Sequence, residues 1–313
     1  MKAAQINTYG DYSVLKINEN TPNPSPKQGQ VLVEVHAASI NAIDWKFRAG
    51  YLQKMVSVTL PVTLGGDFAG KVLETGKDVS EFNVGDKVYG QAIILNGGSG
   101  SMAELVIANS ANTALKPNSV GFVEAGALPL AGISALQALE DHIKLQSGQK
   151  ILIHGGAGGI GHIAIQLAKS FGAYVATTVS TNDKEFVKGL GSDEVIDYKI
   201  QKFENILKDY DAVFDTVGGE TTDRSFKILR KGGVIVSMLG QPSQELVGKY
   251  KVRAIGQATQ TDTSHLRRLA ELVDSGKIKV KIDKVFPLDQ VKEAFRYQEE
   301  MHPKGKVVVK IKE

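Results

Sequence analysis

The chain is expected to be an α/β protein, a doubly wound parallel sheet attached to a small β domain. Three observations carry that expectation. ILIHGGAGGIGHIAIQLAKSFG, Ile151 to Gly172, sets a glycine-rich turn between an apolar triplet and an amphipathic run. From about residue 120 to Gln257, helix-like and strand-like stretches alternate, which is the pattern of βαβ units. Before that, short β-type runs are separated by Gly, Pro, Asn and Asp clusters such as TPNPSPKQGQ and NVGD.

In chain order, Val31 to His36, Lys71 to Glu74, Lys87 to Tyr89 and Leu105 to Ile107 read as strands of a β-barrel or open β domain. ISALQALEDH reads as a helix and ILIHG as a buried strand. Further strands are expected at Tyr174 to Val179, Val195 to Tyr198, Ala212 to Thr216 and Val234 to Leu239. The runs DKEFVKGLG, FENILKDY and TTDRSFKILRKGG between them read as helices. SHLRRLAELVDSG and LDQVKEAFRYQEEM supply two late helices. The closing strand, KVVVKI, has no following helix and is expected to pair back onto the first domain. Residues 1–125, completed by 262–313, thus form one domain, and 126–261 form the other.

Composition excludes several function classes. With 313 residues, 42% hydrophobic and 23% charged, the chain is an ordinary globular one, and its net charge of +3 is dispersed. That gives no nucleic-acid or membrane footprint. MKAAQINTYG has no apolar core of a signal peptide, and no apolar run approaches the roughly 20 residues of a membrane span. A cytoplasmic protein is expected. The absence of cysteine removes disulfides, thiolate zinc ligands and a thiol nucleophile together.

Gly156, Gly158 and Gly161 have GxGxxG spacing between strand and helix. In that setting the first glycine permits a tight turn, the second lets backbone approach a pyrophosphate, and the third lets helix and strand pack closely. Gly156, Ala157, Gly158, Gly159, Ile160 and Gly161 are therefore candidate cofactor-binding residues, with the helix N–H groups facing phosphate. This is the Rossmann dinucleotide-binding pattern. NAD-binding folds usually place an acid about 20 residues past the loop. Here the neighbourhood is ATTVSTNDK, and Ser180, Thr181 and Lys184 offer hydroxyls and a cation to a 2′-phosphate, favouring NADP. The competing reading is that Thr181 caps the next helix and Lys184 is a solvated charge.

The order of parts resembles the medium-chain dehydrogenase/reductase superfamily, with a GroES-like β-barrel domain and a Rossmann domain. Within it the chain is similar to the zinc-independent quinone oxidoreductases of the zeta-crystallin-like branch. NAIDWKFRAG, VGDKVYG, GSMAEL, ALPLAGISALQAL, the glycine loop, VIDY and GKVVV carry the resemblance over essentially the whole chain. Alcohol dehydrogenases of the superfamily have Gly-His-Glu where this chain has Gly65, Gly66 and Asp67, and a cysteine just before the segment matching Asp44. Neither ligand is present, and the six histidines form no HxH or HxxxH pair.

Without a Lewis acid, delivering hydride to an isolated ketone builds a localised alkoxide. A quinone or α,β-unsaturated carbonyl instead spreads the arriving electrons to a distal oxygen. The resemblance thus implies an NADPH-dependent quinone reductase, with an alkenal or enone double-bond reductase as its rival. A non-catalytic nucleotide-binding or structural protein is the alternative of another class. YSVLK, Tyr12 to Lys16, has the YxxxK spacing of short-chain reductases but lies far ahead of the glycine loop, so it reads as an ordinary strand.

The resemblance also implies roles for single residues. Asn41 faces the nicotinamide, or else it is a turn asparagine bonding its own backbone. Lys46 stands where many quinone reductases have tyrosine; it either steadies a developing oxyanion or is a surface lysine. Asp44 is either a structural hydrogen-bonding group or a polar pocket wall. Ser134 matches a position near the nicotinamide ribose, and Tyr198 one near the adenosine phosphate. Thr216, Val217 and Gly218, with Met238, Leu239 and Gly240, end strands at the carboxyl edge where cofactors bind. His154 and His162 read as structural. A homodimer is expected from the family, with no metal.

Overall fold

The computed structural model describes residues 1–54 and 58–312. Two compact units form: Met1–Ala131 with Thr261–Ser275 and Val280–Glu313, and Gly132–Gln260 with Gly276–Lys279. No described helix is long and apolar enough to cross a membrane.

The first unit contains β1 (Ala3–Ile6), β2 (Leu15–Asn18), β3 (Gln30–Ser39), β4 (Val62–Thr63), β5 (Asp67–Thr75), β6 (Lys87–Gln91), β7 (Leu105–Asn109) and β8 (Thr113–Leu115). Its main sheet is ordered around β3, which pairs antiparallel with both β5 and β7. Val31, Val33 and Val35 alternate onto one core with Phe68, Val72, Val88 and Val106. Pairing with β5 then shifts register between Val35 and Ala37. Beyond this irregularity Ala38 and Ile40 feed a different core, which includes Phe47, Leu64, Phe295 and Val307. The β-rich reading of this domain holds, although no strand was expected at β1, β4 or β8. Tyr12 to Val14 of YSVLK forms a 3₁₀ turn, and the strand begins only at Leu15.

The second unit holds β9 (Lys150–His154), β10 (Tyr174–Val179), β11 (Glu194–Asp197), β12 (Tyr210–Asp215), β13 (Leu229–Ser237) and β14 (Arg253–Gly256). They make one parallel sheet ordered β11-β10-β9-β12-β13-β14. β9 is central because Ile151, Leu152 and Ile153 are fully buried. The helix Gly161–Ser170 follows, burying Ile163, Ala164, Ile165, Leu167 and Ala168.

Three stretches of this unit differ from expectation. FENILKDY makes only the 3₁₀ turn Phe203–Asn205, because ahead of β12 only Phe203 and Leu207 are buried and Asp209 turns left-handed (φ 57°) into β12. The helix of TTDRSFKILRKGG stops at Ser225, where Phe226 and Ile228 dive into the core and β13 starts early. The ISALQALEDH helix begins at Pro129 and widens into a π-helical turn over Gln137–Ile143.

The chain then returns to the first unit with β15 (Ile282–Pro287) and β16 (Lys306–Lys310). β16 pairs antiparallel with the end of β3, Val308 opposite Ser39, as the missing downstream helix suggested. The carboxyl end of β3, the first residue of β5 and the first residue of β16 therefore meet.

Candidate active site: a glycine cradle and a buried acid–lysine cluster

In the second unit, close packing explains the glycines. A Cβ on Gly161 would lie 2.2 Å from the Gly155 carbonyl oxygen, and one on Gly156 would lie 2.0 Å from Thr177 Oγ1. The loop closes through Gly158 N–H to Gly155 O at 3.0 Å, and His162 Nδ1 lies 2.9 Å from Gly158 O. Gly158 has room: its Cβ would meet only Gly155 O, at 3.3 Å. Ala157 is buried, and Ile160 sits at the helix entrance. The first-turn amides of a helix have no acceptor within it. A cradle with open backbone at Gly158 and a helix start beside it suits a dinucleotide pyrophosphate.

Beneath the cradle His154 is fully buried between Thr178 Oγ1, 3.0 Å from Nδ1, and Ser225 Oγ, 2.9 Å from Nε2. Burial pushes its imidazole down to about 4, so the ring is neutral near pH 7. Ser225 donates its own proton to Thr221 O, so it accepts from Nε2–H. Nδ1 is then left to accept from Thr178, whose oxygen also receives the Gly155 amide at 3.4 Å.

Around the cradle the structure brings several expected residues together. Thr216 Oγ1 donates to His154 O at 2.8 Å, and Gly155 packs against Thr216 and Val217. Gly218 packs against Leu239. The Val217 and Gly218 amides bond to buried Asp215, and the Met238 amide bonds to its carbonyl. Val217 and Leu239 leave apolar surface exposed beside the loop, and Gly240 follows with φ 111°.

At the adenosine end Lys184 Nζ pairs with buried Asp197 Oδ2 at 3.2 Å, so it is not a free surface charge. A Thr181 hydrogen bond, then the Lys199 amide and Lys184, hold the Asp197 carboxyl below the usual range. Ser180 Oγ donates to Asp183 at 2.6 Å, while Tyr198 is mostly exposed. Ser134 is buried elsewhere in the unit, its hydroxyl 2.8 Å from Thr259 Oγ1.

In the first unit Asn41 begins the helix Ala42–Arg48 and joins three buried charges. Its Nδ2 donates to Asp67 Oδ2 at 2.8 Å, its Oδ1 accepts from Lys306 Nζ, and its backbone N–H donates to Asp44 Oδ2 at 2.7 Å. Asp67 also receives Ser39 Oγ at 3.3 Å and the Leu130 amide at 3.1 Å. Lys306 donates further to Ile40 O at 3.0 Å.

Burial pushes Asp44 up to about 7; the Asn41 amide opposes the rise, Asp67 adds to it and Lys306 opposes it. Burial also raises Asp67 against the pull of Lys306 and lowers Lys306 against the pull of both acids. Arg48 is buried one turn later, but its guanidinium is held by Glu299 at 2.6 and 3.0 Å and by Gly10 O. Lys46 is half-buried, its ammonium 5.7 Å from the Trp45 ring.

Asp44 also lines a small recess with Phe47, Thr63, Leu64, Gly65 and Ile93 to Leu95. The roles of Asp67 and Lys306 were not read from the sequence. Their signal was a charged residue heading an otherwise apolar strand, in LGGDFAG and GKVVV.

This donor set does not suit zinc. Asp67 is saturated by protein donors, Gly66 offers no ligand, and an ammonium already provides the local cation. Among the described residues no group of three His, Cys, Asp or Glu side chains converges to hold a metal ion.

Comparison with known proteins gives two family matches: "Alcohol dehydrogenase GroES-like domain" over residues 27–118 and "Zinc-binding dehydrogenase" over residues 190–309. A 2-methylene-furan-3-one reductase from Solanum lycopersicum is 38% identical over 99% of this chain and 79% of its own length. The NADPH-dependent alkenal/one oxidoreductase of Arabidopsis thaliana chloroplasts is 37% identical, with the same two coverages. The solved quinone oxidoreductase from Coxiella burnetii superposes with a TM-score of 0.91 at 37% identity, covering 100% of this chain and 99% of that one.

Proposed function

The chain belongs to the medium-chain dehydrogenase/reductase superfamily, in its quinone oxidoreductase branch, and from that premise we propose that it is an NADPH-dependent, zinc-independent oxidoreductase transferring hydride to quinones. The observation that carries this reading is the glycine cradle, whose tight positions exclude a side chain for packing while Gly158 keeps open backbone toward a ligand. When bound, the reduced nicotinamide supplies the hydride.

The chain's own residues bind, orient and stabilise. Gly156 to Gly161 would hold the pyrophosphate, and Thr216 to Gly218 with Met238 to Gly240 would flank it. Ser180, Thr181, Lys184 and Tyr198 would receive the 2′-phosphate end, with Lys184 already oriented by Asp197. Asn41 and Ser134 would meet the nicotinamide end, and Lys46 would steady negative charge developing on the acceptor oxygen. A conjugated acceptor suits this equipment because its electrons are delocalised and no Lewis acid is needed.

Reduction of alkenal or enone double bonds is the second reading. It is favoured by the names of the two relatives at 37–38% identity. NADPH oxidation with a panel of quinones, short 2-alkenals and simple aldehydes tests both. Turnover with quinones supports the first reading, and turnover with 2-alkenals alone supports the second. Turnover confined to simple aldehydes overturns both, and tight NADPH binding without turnover points to a non-catalytic protein. Stoichiometric zinc in the purified protein would refute zinc independence. A homodimer and a cytoplasmic site of action complete the proposal, to be tested by sedimentation and cell fractionation.

A further inference from the structure

Gln257 is the first residue beyond β14, and its backbone N–H donates to Ser237 O, at the end of β13, at 2.8 Å. Met238 makes the same bond from beyond β13 to Asp215 O at the end of β12. Gln257 thus stands at the carboxyl edge of the parallel sheet, in one row with Thr216 and Met238. Its side chain is 7% exposed and turns back onto Ser134 of the helix Pro129–Leu136, within the second unit. Nε2 donates to Ser134 O at 3.0 Å and to Thr259 Oγ1 at 3.2 Å, and the Ser134 hydroxyl lies 2.8 Å from the same threonine oxygen. One turn along, Gln137 Nε2 donates to Gln260 O at 2.7 Å, and the Gln260 amide returns a bond to Gln137 Oε1 at 3.1 Å.

Both amide protons of Gln257 are therefore given to oxygens, which fixes the orientation of the amide. Interchanging Nε2 and Oε1 would press a carbonyl oxygen against Ser134 O. Oε1 is left buried, with no hydrogen-bond partner among the described residues. Buried acceptors are normally satisfied. The Ser134, Thr259, Gln137 and Gln260 groups around it are all engaged, so the missing donor is one that the chain does not supply.

We propose that Gln257 Oε1 accepts a hydrogen bond from the carboxamide NH2 of the nicotinamide ring, making Gln257 the residue that selects an intact carboxamide. This rests on the NADPH reading and names a further cofactor-binding residue for it. Quinones and enones carry no N–H to donate, and phosphate only accepts. The glycine loop follows β9, and β14 lies three strands from it, on the side away from β10 and β11. A dinucleotide centred on the loop with its adenosine half over β10 and β11 would send its other half toward β14, and the ring is the outermost group of that half.

The test is binding without turnover, by calorimetry. The probes are NADP+, its 3-acetylpyridine analogue, in which a methyl replaces the NH2, its thionicotinamide analogue, which keeps the NH2, and 2′-phospho-ADP-ribose, which has no ring. Wild-type protein should bind the acetylpyridine analogue at least about tenfold more weakly than NADP+ and bind the thionicotinamide analogue as tightly as NADP+. Gln257→Met keeps the length of the side chain and removes its amide. It should bind NADP+ and the acetylpyridine analogue alike, with affinity for 2′-phospho-ADP-ribose unchanged. In wild-type protein the Gln257 side-chain carbonyl resonance should move downfield with NADP+ and not with the acetylpyridine analogue.

Equal binding of NADP+ and the acetylpyridine analogue by the wild type overturns the proposal, and it is what a ribose hydroxyl as the partner of Oε1 would give. A Gln257→Met protein that keeps the preference also overturns it, by assigning the carboxamide to other groups. If Gln257→Met does not fold, the carbonyl resonance decides: a downfield shift with NADP+ alone supports the proposal, and the same response to both overturns it. A wild type that binds none of the four probes removes the NADPH reading and this proposal with it, whereas one that binds 2′-phospho-ADP-ribose but ignores the carboxamide removes this proposal alone.

Discussion

Two neighbouring glycines of the cradle should respond oppositely to the same added methyl. At Gly161 a Cβ would stand 2.2 Å from Gly155 O, 2.7 Å from Gly156 Cα and 2.9 Å from Gly155 C, all backbone atoms that cannot rotate away. Ordinary contact begins near 3.4 Å, so the helix Gly161–Ser170 would have to back off by roughly 1 Å. Overpacking of this kind costs about 3 kcal/mol, and Gly161→Ala should melt on the order of 5–10 °C lower. At Gly158 the sole close neighbour is Gly155 O at 3.3 Å, so the nucleotide-free Gly158→Ala protein should lose under about 1 kcal/mol. Its methyl would nevertheless stand where backbone must approach the pyrophosphate, and NADPH should bind at least about tenfold more weakly. Thermal melts without nucleotide, paired with fluorescence titrations of NADPH, separate the two effects. A stable Gly158→Ala protein with wild-type NADPH affinity would refute the cradle, and a wild-type melt for Gly161→Ala would refute the packing argument.

Asp44 gives a pH signature. Its folded pKa of about 7 lies above the ordinary 3.8, so its contribution to stability is complete below about pH 4 and is lost as pH rises through 7. That rise is equivalent to about 4 kcal/mol, so urea melts should show Asp44→Asn gaining on the wild type by up to that amount between acid and alkaline pH. A constant difference would contradict it. His154 should remain neutral with its proton on Nε2 from pH 6 to 9, visible in nitrogen NMR. Replacing it with alanine takes the acceptor from the Thr178 hydroxyl and the donor from Ser225 Oγ and opens a cavity, costing about 2–4 kcal/mol in chemical denaturation. Lys184→Ala should weaken NADPH about tenfold while sparing NADH, as measured by calorimetry; equal wild-type affinities for the two nucleotides would remove the 2′-phosphate reading.

Patterns confined to neighbouring residues were the legible part of this chain. The glycine spacing, the apolar triplet ahead of it and the helix after it announce the cradle within 22 residues, and β10 ends where the alternation places it. Elements without an internal period were not legible. β1 is a four-residue strand whose pairing defines it, and β14 is a half-exposed RAIG. FENILKDY carries helix-forming residues, yet a left-handed Asp209 and the start of β12 at buried Tyr210 limit it to one turn.

The acid–lysine cluster shows the same limit at the chemical level. Asn41 and Lys306 touch across 265 residues of sequence, and the lysine heads a strand that reads as ordinary apolar packing. A charged residue heading an apolar strand is a local hint, but it does not decide whether the lysine will be buried or solvated. What decides is the return of β16 to the end of β3, which removes water from Lys306 and both carboxylates at once. Each of these charges would be prohibitively costly to bury alone, and they become tolerable only when the amide of Asn41 and the ammonium of Lys306 arrive together. The site is therefore a product of the closing strand pair, and a substitution that loosens β16 should disturb the Asp44 titration before it disturbs the Rossmann sheet.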